Sequence, residues 1–230
     1  MKVSAILLAA GLGTRMRSPV AKQYMQLGGY PVLYYSLKAL EESFVDEIIL
    51  VTGKEEMDYC RTEIVEKYGF QKVSRFVEGG EERYLSVYNG LAAIQEEGYV
   101  FIHDGARPFL TQDILVRAYQ AVQEKKACVV GVPVKDTIKI AGADQSVLAT
   151  PERSRLWQVQ TPQVFETSLI QHAYIKFVED GNTYATDDAM ILEQMESCPV
   201  YLVEGSYRNI KITTPEDMLI AEAFLASGQN

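Results

Sequence analysis

A glycine-rich segment near the N-terminus has the composition of a phosphate-binding loop. Gly11 and Gly13 follow an apolar run, and the basic residues Arg15 and Lys22 come shortly after them. Glycine lets backbone amides approach a ligand closely, and amides that converge in a turn favour an anion. A polyphosphate also needs fixed cations, whereas a purely structural turn does not. The segment therefore indicates a phosphate site, with a tight strand-to-helix turn as the alternative on local grounds.

Two common phosphate-binding patterns do not fit this segment. Walker A requires GxxxxGK followed by serine or threonine, and that pattern is absent. The dinucleotide-binding pattern needs a third glycine or alanine at the position of Met16. The sequence therefore disfavours a P-loop ATPase and a nicotinamide-dependent oxidoreductase.

A second glycine segment could add further contacts to a nucleotide. Gly79 and Gly80 follow a predicted strand and precede a helical pattern that contains Ser86. Such a segment can supply amides, a hydroxyl and the positive end of a helix dipole. The simpler interpretation is a glycine turn followed by acidic residues in the first turn of a helix.

An aspartate at the end of a buried-looking strand is a candidate metal ligand. Asp104 could hold a divalent ion that bridges phosphate oxygens, because Mg²⁺ prefers oxygen ligands. Alternatively, Asp104 caps the following turn and pairs with Arg107. We assign no chemistry to His103, because a histidine here is more often a core or hydrogen-bonding residue.

The elements that would position these residues follow an alternating pattern. Short apolar runs alternate with longer helical patterns along the chain, which indicates an α/β fold. The predicted strands are Val3 to Leu8, Glu47 to Thr52, Val73 to Glu78, Tyr99 to His103 and Cys128 to Val134. The predicted helices between them are Val32 to Glu42, Glu55 to Tyr68, Arg83 to Gln95 and Thr111 to Gln123. This alternation predicts a parallel sheet covered by helices on both faces, with ligands beyond the carboxyl ends of its strands.

The alternation breaks after Pro133. Lys135 to Ile140 and Ser146 to Thr150 flank a turn that contains Gly142, which predicts a hairpin. The hairpin either extends the main sheet or protrudes as an arm that clasps a second subunit, and the sequence does not distinguish the two. Later elements are predicted as helices at Thr167 to Glu179 and Asp187 to Met195, strands at Val200 to Val203 and Asn209 to Ile212, and a final helix opened by Pro215.

Composition limits the class of protein. The 230 residues are 47% hydrophobic and 23% charged, which predicts a single globular domain. A net charge of −9 disfavours an extended nucleic-acid surface. The three cysteines lack CxxC spacing, so we expect no structural zinc site. We see no signal peptide, membrane span or disulfide pattern and expect a cytoplasmic protein.

Taken together, the motifs cover nearly the whole chain and resemble those of a known enzyme family. In order they are AAGLGTRM, AKQY, GGEERYLSV, HDGARPF, PVKDT, LWQVQTPQ, TDD and NIKITTPED. The set is similar to that of the 2-C-methyl-D-erythritol 4-phosphate cytidylyltransferases of the non-mevalonate isoprenoid pathway. The resemblance implies a homodimeric enzyme that uses CTP and a divalent cation, normally Mg²⁺, to form 4-diphosphocytidyl-2-C-methyl-D-erythritol and pyrophosphate.

The resemblance also implies a fold. It is a Rossmann-like, mostly parallel sheet with helices on both faces, of the nucleotide-diphospho-sugar transferase type, with a protruding β-arm. The expected organisation is one domain over residues 1–230, with a hairpin dimerisation arm at about residues 135–156.

The same resemblance implies roles for individual residues. Arg15 and Lys22 correspond to the family's transition-state-stabilising cations, and Arg153 and Lys211 to the cations that position the polyol phosphate. The positions matching CTP contacts are Ala9, Ala10, Gly11, Gly13, Gly80, Ser86 and Asp104, with Asp104 also the metal ligand. The further positions around the second substrate are Arg107, Thr137, Thr161 and Thr186. Arg153 is expected to reach the neighbouring subunit's site.

Two departures and two rival functions accompany this resemblance. Ala21 stands where the family usually has proline, and Glu81 where it often has aspartate. Losing the proline removes a restraint on φ in the segment that carries Lys22. The nearest rival is a cytidylyltransferase for another polyol phosphate, such as ribitol 5-phosphate. A rival of another class is a non-catalytic nucleotide-binding module.

Overall fold

A seven-stranded mixed sheet forms the centre of the computed structural model, which describes residues 1–11, 16 and 20–228. In chain order the strands are β1 Lys2–Ala9, β2 Gln26–Leu27, β3 Tyr30–Pro31, β4 Glu47–Thr52, β5 Val73–Glu78, β6 Gly98–Asp104, β7 Ala127–Pro133, β8 Ile140–Ala141, β9 Val147–Ala149, β10 Trp157–Glu166 and β11 Tyr201–Glu204. The main sheet has the order β11-β7-β10-β6-β1-β4-β5, and the other strands form two small hairpins, β2-β3 and β8-β9.

The main sheet is parallel except at one strand. β1 pairs in parallel with both β4 and β6, and β10 runs antiparallel to β6 and β7. Because β1, β4, β5 and β6 run in the same direction, their carboxyl ends meet at one edge of the sheet. This edge is where ligands bind in open α/β sheets.

Helices cover both faces of this sheet. They are α1 Val32–Glu41, α2 Met57–Tyr59, α3 Arg83–Ala92, α4 Gln112–Lys125, α5 Thr167–Glu179, α6 Asp188–Met195 and α7 Pro215–Ala226, and a π-helical stretch, Cys60–Glu66, continues α2. Successive side chains of β1 alternate between two cores. Leu7 packs with Leu37 of α1 and Leu115 of α4, whereas Ile6 packs with Val87 of α3 and Phe177 of α5. The predicted α/β class, a mostly parallel sheet between helical layers, is confirmed.

One predicted strand is absent from the described residues, and one observed strand was not predicted. No strand forms at Asn209 to Ile212, because its backbone pairs with a loop instead: the Ile212 amide donates to the carbonyl of Ala106 at 2.9 Å. The long strand β10, which was not predicted, instead lies between β6 and β7. Because β10 is antiparallel to both neighbours, it interrupts the otherwise parallel sheet.

The predicted hairpin after Pro133 is present but does not join the main sheet. Its strands β8 and β9 pair only with each other. The interpretation of the hairpin as an extension of the main sheet is therefore wrong. Large apolar side chains on this arm face outwards, including Ile140, Val147 and Leu148, which are 50%, 61% and 66% exposed.

Across the described ranges, no helix has both the length and the apolar character needed to span a bilayer.

Candidate active site

A cavity of about 530 Å³ lies at the carboxyl ends of β1, β5 and β6. It brings together five residues matched to CTP, one matched to the transition state and one matched to the polyol phosphate, which are Ala10, Gly11, Gly80, Ser86 and Asp104, then Lys22, then Lys211; Ala9 does not line it. Residues that are far apart in the sequence, such as Ala10 and Asp104, meet here because parallel strands end at the same edge. Gly13 and Arg15 lie outside the described residues.

The turn that carries Lys22 is fixed to the end of β1 by a buried glutamine. Gln23 is 4% exposed, and its Nε2 donates to the carbonyl of Ala9 at 2.7 Å and to that of Gly11 at 3.1 Å. Both hydrogens of the amide are therefore used to join the glycine segment to the 3₁₀ turn Lys22–Tyr24. The sequence does not reveal this role of Gln23, because nothing in its local pattern indicates that a glutamine faces two carbonyls.

Ala21 does not disturb the start of this turn. Its φ is −61° and its ψ is 139°. Proline would hold φ near −65°, so alanine adopts the conformation that the usual proline would impose. The substitution therefore leaves the backbone geometry before Lys22 unchanged.

The second glycine segment forms the wall opposite Lys22. A Cβ at Gly79 would lie 2.3 Å from the Cβ of Ala10, so only glycine allows these two segments to touch. The amide of Gly80 donates to Ser86 Oγ at 3.1 Å. This bond ties the segment to the first turns of α3 and fixes the hydroxyl at the cavity wall. Glu81 also lines this cavity.

Asp104 stands at the end of β6 among three cations. Its carboxylate lies 2.8 Å from Lys211 Nζ, 3.4 Å from Arg83 Nε and 3.6 Å from Arg107 Nε. Burial alone would raise the pKa of Asp104, but Arg83, Lys211 and Arg107 outweigh it and hold this pKa well below its usual range. The carboxylate is therefore ionised at neutral pH, which is the state a metal ligand requires.

Arg83 is held by a buried carboxylate from the other half of the chain. Its Nη1 and Nη2 donate to Asp188 at 2.8 and 2.9 Å, and Tyr174 donates its hydroxyl to the same carboxylate at 2.6 Å. Asp188 is completely buried, so the carboxylate of this bidentate pair is shielded from water. The local sequence around either residue does not indicate this role. Asp187, in contrast, caps α6, because its side chain accepts a hydrogen bond from the amide of Met190.

A second cavity, of about 310 Å³, adjoins the first. Of the residues matched to the second substrate, Arg107, Thr161 and Thr186 line it. Arg83, Asp104 and Lys211 line both cavities and form their shared wall. The arrangement therefore gives two adjoining cavities that share two cationic side chains and one carboxylate.

His103 lies beneath this shared wall. It is completely buried, with Nε2 at 3.3 Å from the carbonyl of Arg107 and Nδ1 at 3.0 Å from Thr161 Oγ1. Burial lowers the pKa of His103 to about 4, so its ring is neutral at physiological pH. The expectation of a hydrogen-bonding core histidine agrees with these contacts.

Two of the predicted substrate residues lie away from both cavities. Thr137 and Arg153 are exposed at the base of the arm, and Arg153 Nη1 donates to the carbonyl of Lys135 at 2.9 Å. Neither lines the first or the second cavity. Within the ranges that the structure describes, no group of three or more His, Cys, Asp or Glu side chains is placed to hold a metal.

Comparison with known proteins identifies relatives over the full chain. The profile of the family described as 2-C-methyl-D-erythritol 4-phosphate cytidylyltransferase matches residues 3–227. The chain is 52% identical to a protein of that name from Lachnoclostridium phytofermentans, over 100% of this chain and 98% of the relative. It is 50% identical to another of that name from Caldanaerobacter subterraneus, over 98% and 99% of the two chains.

Solved structures of the same description share the fold. A 4-diphosphocytidyl-2C-methyl-D-erythritol synthase from Anaerococcus prevotii matches with a TM-score of 0.86 and 36% identity, covering 98% of this chain and 96% of that one. A 2-C-methyl-D-erythritol 4-phosphate cytidylyltransferase from Thermus thermophilus matches with a TM-score of 0.78 and 30% identity, covering 98% and 100%.

Proposed function

The chain belongs to the 2-C-methyl-D-erythritol 4-phosphate cytidylyltransferase family, and we propose that it transfers CMP from CTP to 2-C-methyl-D-erythritol 4-phosphate and releases pyrophosphate. The observation that carries the proposal is the pair of adjoining cavities with Asp104 and Lys211 in their shared wall. A transfer between two phosphorylated substrates needs two anion sites in contact, whereas a nucleotide-binding module needs only one.

The reaction proceeds by in-line displacement at phosphorus. A phosphate oxygen of the acceptor forms a bond to the α-phosphorus of CTP while the bond to the bridging oxygen of the departing pyrophosphate breaks. No protein nucleophile takes part. The chain contributes cations that stabilise the charge moving to the leaving group, and we assign this role to Lys22 at the first cavity and to Arg15.

The first cavity is the proposed CTP site. Its two glycine segments bring Gly11 and Gly80 to the cavity wall, and Ser86, whose Oγ accepts from the Gly80 amide, lies beside them. Gln23 keeps Lys22 adjacent to the phosphates by bonding both carbonyls that flank Ala10. Contacts from backbone amides are suited to recognising a base edge and phosphates without any added bulk.

The second cavity is the proposed acceptor site. Lys211 and Arg107 supply positive charge for a phosphomonoester, and Thr161 and Thr186 supply hydroxyls for a polyol. Neutralising one phosphate lets it approach the triphosphate without repulsion. We further propose a homodimer in which Arg153 and Thr137 complete this site on the partner subunit, since both lie on the exposed arm beside apolar side chains.

The carboxylate of Asp104 is suited to hold a divalent cation, and Mg²⁺ is the ion that we propose. Asp104 is 9% exposed, ionised, and faces both cavities. Magnesium is commonly held by one or two carboxylates together with substrate phosphates, so a single aspartate suffices. When bound, the ion would neutralise charge on the triphosphate. We also propose a cytoplasmic location, where CTP is available as donor.

The proposal is tested by product formation. Purified protein with CTP and Mg²⁺ is given 2-C-methyl-D-erythritol 4-phosphate or ribitol 5-phosphate, and pyrophosphate and the cytidine diphosphate product are measured. We expect turnover with the methylerythritol phosphate and at least about 100-fold lower kcat/KM with ribitol 5-phosphate, since a polar site rejects a misplaced hydroxyl strongly. Preferential use of ribitol phosphate would change the acceptor, and binding of CTP without turnover of either would contradict the enzyme assignment.

A further inference from the structure

We propose that His103 is a positioning residue that determines which hydrogen-bonding group Thr161 presents to the acceptor. The inference rests on the proposed function, because it concerns the same second cavity. His103 lines neither cavity and is completely buried. It therefore acts on a substrate only through the residues it touches.

The two ring nitrogens of His103 have different partners that fix the tautomer. Nε2 lies 3.3 Å from the carbonyl oxygen of Arg107. A carbonyl only accepts hydrogen bonds, so Nε2 carries the hydrogen. In the neutral ring Nδ1 is then an acceptor, and the Thr161 hydroxyl, 3.0 Å away, donates to it.

This bond orients the Thr161 hydroxyl. Its hydrogen points towards His103, and one of its lone pairs accepts from the backbone amide of Asp104 at 3.1 Å. Among the described residues these are its two hydrogen-bond partners, which leaves one lone pair for the second cavity. A hydroxyl that can only accept recognises a donor, such as a hydroxyl of the polyol. It does not recognise a phosphate oxygen.

His103 thereby gives the acceptor site separate hydrogen-bond donors and acceptors. Lys211 and Arg107 are donors and suit the phosphate, whereas Thr161 is held as an acceptor and suits the carbon chain. The same imidazole also bonds the backbone of Arg107, so it ties the two recognition functions to one buried group. A leucine at position 103 would free the Thr161 hydroxyl to rotate.

The first test does not depend on activity. Long-range ¹H–¹⁵N spectra of the whole protein near pH 7.5 report the tautomer of each of its two histidines. We expect the Nε2–H tautomer for His103. Thr161→Val should shift the Nδ1 resonance of His103 and leave that of the exposed His172 unchanged, whereas Thr161→Ser should preserve it. An Nδ1–H tautomer, or no response to Thr161→Val, would refute the proposal.

The second test compares Michaelis constants. His103→Leu should raise the KM for the acceptor about 10-fold, the equivalent of one buried hydrogen bond, and change the KM for CTP less than about 2-fold. His103→Asn, whose Oδ1 can replace the Nδ1 acceptor, should recover part of the loss. In a Thr161→Val background the effect of His103→Leu should disappear, because the two residues act as one unit.

These outcomes separate the two proposals. Additive effects of the His103 and Thr161 substitutions, or equal rises in both KM values, would show a merely structural histidine. If the wild-type protein forms no product, the proposed function fails and the spectra still decide the tautomer. If His103→Leu does not fold, the Thr161→Val and Thr161→Ser pair carries the kinetic comparison, with only the valine variant expected to raise the KM for the acceptor.

Discussion

The two cavities are built in different ways from the same chain. The first cavity, which we propose as the nucleotide half, is lined largely by backbone and small side chains near the ends of parallel strands, such as Ala10 after β1 and Gly80 after β5. The second cavity, which we propose as the acceptor half, is formed by side chains from the antiparallel strand β10, the segment before α6 and the loop after β6. Recognition in the first half is therefore mostly a matter of backbone geometry, and in the second of side-chain hydrogen bonds and charge.

This difference predicts how substitutions divide between the two halves. Residues of the first cavity should affect the chemical step, because we propose that the triphosphate, where charge moves, binds there. Residues of the second cavity should affect use of the acceptor. Lys211 tests the boundary, since it lines both cavities and is bonded to Asp104 at 2.8 Å.

The largest effect is expected at the triphosphate. Lys22→Ala should lower kcat about 10²- to 10³-fold, the usual result of removing one group that stabilises transition-state charge. The KM for the acceptor should change less than about 3-fold. Steady-state kinetics with each substrate varied in turn measures this, and Lys38→Ala is the matched control, because Lys38 is an exposed lysine on α1. A loss confined to KM would place Lys22 in ground-state binding instead.

The boundary between the halves gives the next effect. Lys211→Ala should raise the KM for the acceptor about 10- to 100-fold, because a charged contact to a phosphate is lost, and should lower kcat less than Lys22→Ala does. Lys211→Arg keeps the charge and should recover part of the KM. Kinetics with varied acceptor at saturating CTP distinguishes the variants. An unchanged acceptor KM with a large rise in the KM for CTP would move Lys211 into the nucleotide half.

The sequence predicted the two halves unequally for a physical reason. The bounds of β4 and β5 match the predicted ones, because both are short apolar runs. Residues at the ends of such strands, including Gly80 and Asp104, could be proposed for a site from local pattern, with a glycine turn and a capping aspartate as the alternatives. Arg83 and Asp188 are hydrogen-bonded although they are 105 positions apart in the sequence. His103 and Thr161 are hydrogen-bonded across a separation of 58 positions. No local pattern encodes such pairs, so their contacts were found only in the folded chain.

The same limit applies to the hairpin after Pro133. The turn and its two flanking apolar segments could be predicted from the local sequence. Whether β8 and β9 pair with the main sheet or only with each other depends on contacts with residues distant in the sequence.

Asn209 shows the opposite error, because a strand was predicted where none forms. Its segment has the composition of a strand, yet its side chain is buried and donates to the carbonyl of Thr161 at 2.8 Å. Tertiary hydrogen bonds thus replaced the expected sheet pairing.

The smallest expected effect lies furthest from the cavities, on the arm. Arg153→Ala should raise the KM for the acceptor about 10-fold, because one charged hydrogen bond to the acceptor is lost. The KM for CTP should remain unchanged. The reason is that Arg153 lines neither cavity of its own subunit, so it contributes only if a second copy brings it to the acceptor half. Arg155→Ala, on the same short turn, is the matched control.

Mixing two defective proteins shows whose site Arg153 serves. After subunit exchange between Arg153→Ala and Lys22→Ala at equal amounts, each mixed dimer contains one site with Lys22 intact and Arg153 supplied by its partner. If Arg153 acts across the interface, acceptor KM returns to the wild-type value in about a quarter of all sites, since half of the dimers are mixed and half of their sites are complete. If Arg153 acts within its own subunit, every site lacks one of the two residues and nothing is recovered. Recovery would extend the acceptor half to two chains while the nucleotide half stays within one.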